Sequence, residues 1–177
     1  MKKTTFVCLF TLLALFLFTS CGKEEETDST ISESAQGQQK DIVEDDAFAF
    51  VANGISIPLD GESADLVDKI GDYEYFEAPS CAFQGLDKTY TYHGFTLYTY
   101  EVDGVDHVLS VVLTDDSVTT PEGIAIGFGI DEVKAAYGDD FTMSDGAYVY
   151  TKGKTTLSFI MENDKISSIE YMTLTDE

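Results

Sequence analysis

The chain has 177 residues, with 33 acidic residues against 10 lysines, no arginine and no tryptophan, and a formal net charge of −23. So acidic a surface repels nucleic-acid phosphates and anionic lipid headgroups, which argues against DNA or RNA as a partner. Hydrophobic residues make up 44% of the chain, enough to build the core of one domain.

Lys2 and Lys3 open the chain, and Phe6 to Phe18 is a nearly unbroken apolar run. The run is shorter than the roughly 20 residues that cross a bilayer core. A positive start, a short apolar run and the small pair Thr19-Ser20 describe a secretory signal over residues 1–20. Cys21 follows directly, then Gly22. The stretch Phe18-Thr19-Ser20-Cys21 resembles the lipobox of bacterial lipoproteins, with Phe18 where that family usually carries an aliphatic residue. The resemblance implies a diacylglyceryl group on the Cys21 thiol and cleavage between Ser20 and Cys21. It also implies a membrane partner through that anchor, on the extracytoplasmic face of the cell membrane. Two or three acyl chains hold a protein firmly where a single one does not.

The mature chain would have 157 residues and a charge of −25. Residues 21–47 are rich in acids, Ser and Gln and nearly free of large apolar side chains. Such a segment buries too little surface to offset its ordering entropy and reads as an acidic tether. One thiol remains after cleavage and lipidation, Cys81, so no intramolecular disulfide is available. A lone cysteine of this kind is expected to behave as a small buried hydrophobe.

The folded domain is expected over 48–177. Phe48, Phe50, Ile55 and Ile57 suggest an extended entry, with Asn53-Gly54 as a turn. Two stretches then match, "ADLVDKIGD" at 64–72 and "DEVKAAYGD" at 131–139. Both read as short amphipathic helices closed by glycine, the first capped by Ser63 and the second starting at Gly129 or Asp131. Three strands follow each. "TYTY" at 89–92 matches "AYVY" at 147–150, "FTLYTY" at 95–100 matches "TTLSFI" at 155–160, and "HVLSVVL" at 107–113 matches "KISSIEY" at 165–171. Asp103-Gly104 and Asn163-Asp164 suit tight hairpins, and His93-Gly94 and Lys152-Gly153 mark the turns before them. The expectation is an α+β fold of two tandem helix-plus-antiparallel-meander repeats, about 55–118 and 122–174, with the helices packed on one face of the sheet.

This tandem pattern resembles the β-lactamase inhibitory protein family. The short helix from Gly127 to Gly138 is similar to that of envelope lipoproteins of the SmpA/OmlA type, and the whole chain is similar to surface lipoproteins of Gram-positive anaerobes. The resemblance implies a fold and a sheet-based binding surface. The inhibitor family carries disulfides within its repeats, which this chain lacks, and no residue role carries over.

Alternation along the strands places Tyr148, Tyr150, Leu157, Phe159, Ile169 and Tyr171 toward the helices in the second half, with Ser158, Glu162, Ser168 and Glu170 opposite. In the first half Leu97, Leu109, Val111 and Leu113 face the helices. The opposite face holds Tyr98, Tyr100, Val102 and Val112. That apolar, tyrosine-bearing set is either covered by residues 72–89 with Phe76, Cys81 and Phe83, covered by the Phe48–Val51 strand, or is a partner-binding patch.

For catalysis, Cys81 with His93 is the nucleophile–base pair to consider, without a flanking motif. Glu101, Asp103, Asp106 and His107 cluster in "EVDGVDH" but lack the spacing of a calcium loop. No phosphate-binding loop is present, and no metal or cofactor is expected. The sequence therefore points to a non-catalytic, lipid-anchored binding or accessory protein acting through a sheet face on an envelope or extracellular protein. A cation or small-ligand sensor is the alternative, and an envelope hydrolase a third reading.

Overall fold

The computed structural model describes residues 46–175. Ser20, Cys21 and nearly all of the acidic segment lie outside the described residues. The chain enters through a hairpin, β1 (Ala49–Ala52) and β2 (Ile55–Pro58), followed by α1 (Ala64–Ile70). A four-stranded meander comes next: β3 (Glu74–Pro79), β4 (Leu86–Tyr92), β5 (Phe95–Val102) and β6 (Val105–Leu113). After a linker come α2 (Ile130–Tyr137) and a second meander, β7 (Thr142–Ser144), β8 (Ala147–Lys152), β9 (Thr155–Glu162) and β10 (Lys165–Thr173). The meanders join edge to edge into one antiparallel eight-stranded sheet, in the order β3-β4-β5-β6-β10-β9-β8-β7.

This corrects the α+β expectation. The molecule is mostly β, and its organising element is a single sheet rather than two helix-plus-meander repeats. Eight strands span about 34 Å at the usual interstrand spacing. Helices of seven and eight residues reach only about 11–12 Å each. They cannot form a layer over such a sheet. The inner face is covered by a patchwork of the β1–β2 hairpin, the two helices and the linker, which contribute Phe50, Ile57, Val67, Ile70, Ile124 and Val133 to the core.

Alternation does the rest. One inner row crosses seven strands: Tyr75, Tyr90, Leu97, Val111, Tyr171, Leu157 and Tyr150 are successive cross-strand partners. From Tyr90 to Tyr150 every member is buried. Phe50 is fully buried on this row, its ring 5.0 Å from Phe95 and 5.7 Å from Tyr171. The Phe48–Val51 strand thus covers the inner face, and not the Tyr98 face as one reading had it. The turns fall where their residue types allow. Asn53-Gly54, Asp103-Gly104 and Asn163-Asp164 all take positive φ at both positions, the geometry whose twist matches the flanking strands.

Two local expectations change. Ser63 is the residue before α1, but its hydroxyl makes no cap and donates to the Asp106 carbonyl at 3.2 Å. Leu109 does not face the helices. Tyr98 pairs with Ser110 and Thr99 with Val108, so Leu109 is an extra residue in β6. The bulge puts Val108 and Val111, three apart, on the inner face and leaves Leu109 on the other.

Removing the Phe50 ring would empty the centre of the inner layer. Phe50→Ala is expected to cost about 3–5 kcal/mol, read as a lower urea midpoint with an unchanged slope. A loss below 1 kcal/mol would mean the hairpin is not part of the core.

Candidate functional site

The outer face of the sheet is built from two neighbouring rows. One runs Phe76, Thr89, Tyr98, Ser110, Met172 and Thr156. The other runs Glu74, Thr91, Thr96, Val112, Glu170 and Ser158. Tyr98 is 37% exposed and Phe76 66% exposed. The loop between β3 and β4 folds over one end of this face. The Ser80 hydroxyl accepts the Phe83 N–H at 2.9 Å, and Ser80 N–H donates to the Gly85 carbonyl at 3.1 Å. That tight closure sets the Phe83 ring 4.9 Å from the Tyr100 ring.

Phe83 divides the four patch residues between two places. Tyr98 and Val112 line a groove of about 380 Å³ with Ala82, Phe83, Leu109 and Glu170. Tyr100 and Val102 line a cleft of about 600 Å³ at the strand ends, with Asp60, Phe83 and Leu174. Tyr100 is buried, and its hydroxyl donates to Asp60 Oδ1 at 2.5 Å. Burial first, then that carboxylate, push the Tyr100 hydroxyl up to about 12. Val102 is exposed.

The groove holds one residue that the sequence showed only as a polar position, Glu170. It pairs with Val112 on β6 and Ser158 on β9, at the seam of the two meanders. Its side chain makes no hydrogen bond or ion pair among the described residues, and burial alone raises its carboxyl above the ordinary carboxylate range. The outer face therefore presents a half-buried acid beside a half-exposed tyrosine in an apolar groove. No signal in the sequence pairs positions 112 and 170. Only the β6–β10 register brings them together.

The nucleophile–base pair does not form. Cys81 sits in the β3–β4 loop and His93 in the β4–β5 turn, at opposite ends of β4, about 20 Å of strand apart. Cys81 is exposed, contrary to the buried reading. His93 Nδ1 instead lies 3.2 Å from Ser117 Oγ. The Ser117 hydroxyl and N–H both donate to Asp115, holding that carboxyl below its ordinary range. His93 thus contacts the Asp115–Ser117 turn rather than Cys81. In the 101–107 cluster, Asp106 pairs with Lys88, His107 Nδ1 lies 2.8 Å from the Asp60 carbonyl, and Asp103-Gly104 forms the hairpin turn. Among the described residues no group of three or more His, Cys, Asp or Glu side chains is placed to hold a metal ion.

No family model matches the chain, and no curated protein matches it. A solved structure that is similar in part is an extracellular protein containing a SCP domain from Bacillus anthracis. It is 13% identical with a TM-score of 0.39, over 65% of this chain and 44% of that one. A likeness this slight carries neither fold nor function across. Among the described residues no helix is long and apolar enough to cross a membrane.

Two measurements check this geometry. Glu170 has a folded-state pKa above its unfolded value, so its contribution is favourable below the unfolded carboxylate range and is lost as pH rises through the folded value. Glu170→Gln should therefore melt above the wild type at pH 7, the gap closing as pH falls below the unfolded carboxylate range. Equal melting at every pH would refute the desolvation. In the native protein a maleimide should label Cys81 to completion without denaturant; labelling that needs unfolding would show the thiol to be buried.

Proposed function

We propose that the chain is a lipid-anchored, extracytoplasmic binding module without catalysis, which docks an envelope or extracellular protein on the outer face of its sheet. The observation that carries this reading is the groove at the β6–β10 seam, where Tyr98 stays half-exposed over apolar walls beside the unpartnered Glu170. Tyrosine offers large contact area at little entropic cost, and aromatic residues are enriched where interfaces bury their cores. The Phe18-Thr19-Ser20-Cys21 pattern supports the anchor.

Two arms test the reading. Mass spectrometry of the protein from membranes should find Cys21 as the first residue, carrying diacylglycerol. A photo-crosslinking amino acid at position 98 should give one discrete adduct on living cells, and the same group at Asp65, exposed on α1, should give none. An unmodified N-terminus at Met1 would end the anchor, and adducts that do not depend on position would end the sheet-face reading.

A further inference from the structure

The proposal of an outer-face binding site leaves open what chemistry enters the groove, and the residues there restrict it. Its walls are apolar and aromatic: Phe83, Tyr98, Leu109 and Val112. Its polar side chains include two acids, Asp87 and Glu170, and no lysine. Glu170 is half-buried in the groove and unpaired among the described residues, so its carboxylate is partly desolvated with no protein group to compensate. An occupant that gains most here carries an apolar stem to lie along Val112 and Leu109 and a positive head to meet the carboxylate. It also benefits from a flat head that stacks on aromatic rings. A guanidinium combines weak hydration, a planar face for Tyr98 or Phe83 and a fork for a carboxylate, whereas an ammonium is a compact, strongly hydrated point charge.

We infer that the groove between Tyr98 and Glu170 receives an arginine side chain from a basic segment of the partner protein. This rests on the sheet-face reading above and narrows it. The chain itself contains no arginine, so neither its own tether nor a second copy can supply the group. The formal charge of −23 draws a basic segment from a distance, and the groove selects the side chain at contact.

The test uses the full chain in detergent micelles and capped tripeptides Gly-Arg-Gly, Gly-citrulline-Gly and Gly-norleucine-Gly, followed by NMR. The arginine peptide should give saturable shifts centred on Tyr98, Val112 and Glu170. Citrulline, of the same shape without the charge, should bind at least about tenfold more weakly, the loss of one charge-assisted hydrogen bond. Glu170→Gln should lose the same factor, while Asp65→Asn on α1 should lose nothing. Equal binding of arginine and citrulline, undiminished binding by Glu170→Gln, or shifts spread over the acidic surface would each overturn the inference. The arginine–citrulline comparison is made on the wild type, so it stands whatever Glu170→Gln does to folding. A discrete adduct at position 98 without arginine binding would overturn this inference and leave the sheet-face reading intact. No adduct at all would remove the reading beneath it.

Discussion

The pairing of β6 with β10 is the contact on which the rest of the molecule depends. Within each meander, every strand pairs with its chain neighbour, and such contacts close short loops at little entropic cost. The seam is different, because it joins residues 110–113 to 169–172. Its inner side aligns Val111 and Leu113 with Tyr171 and Ile169, all buried, so the junction lies in the middle of the core. It also has a definite end. Beyond Ser110 the Leu109 bulge turns β6 away from β10, and the freed stretch pairs with the residues before α1. Asp60 N–H donates to the Val108 carbonyl and Val108 N–H to Gly61, both at 2.9 Å. Thr173 reaches the same carbonyl with its hydroxyl at 3.1 Å. One extra residue thus sets the length of the seam and anchors the entry to α1.

Much of this was legible one element at a time. Asn53-Gly54, Asp103-Gly104 and Asn163-Asp164 announce hairpins because few other residue pairs accept positive φ twice. Period-two alternation placed Leu97, Leu157, Phe159 and Tyr171 on the inner face. What failed were inferences that need three dimensions. A strict alternation cannot show a bulge, so period two puts Leu109 with Val111 and Leu113 on the inner face, where the register does not. Ser63 has the composition of a cap, but its hydroxyl is drawn to the Asp106 carbonyl by a strand forty residues away in sequence. The fourth strand of each meander was also hidden. β3 is exposed almost throughout and β7 has three exposed residues, so neither carries a hydrophobic period.

The groove shows the same limit. Tyr98 and Tyr100 have the same parity and the same residue type, yet one stays half-exposed and the other is buried. The difference comes from Phe83, held over Tyr100 by the Ser80 turn and by Gly85 at φ +82°. At Gly85 an added Cβ would fall 2.4 Å from the Glu101 carboxylate, so both the backbone and the available space favour glycine there. Glu170 was invisible for another reason. Its strand reads as an ordinary one-sided strand, and only pairing across the seam places it against Val112.

The distribution of acids separates their roles. On the edge strand β3, Glu74, Glu77 and Pro79 border the unpaired backbone, where charge and a missing N–H discourage another strand from adding. Of the other described acids, Glu62, Asp65 and Asp72 are exposed to water, which screens them, and Asp106 on β6 is paired with Lys88. Glu170 fits none of these uses. It lies inside the sheet, away from both edges, too buried for full hydration and with no partner to compensate. Folding alone would be served as well by a threonine, the type that fills Thr96 and Thr156 on the same face. A carboxylate at that position, next to the half-exposed Tyr98 and the apolar Leu109 and Val112, is the feature on which the proposed positive occupant rests.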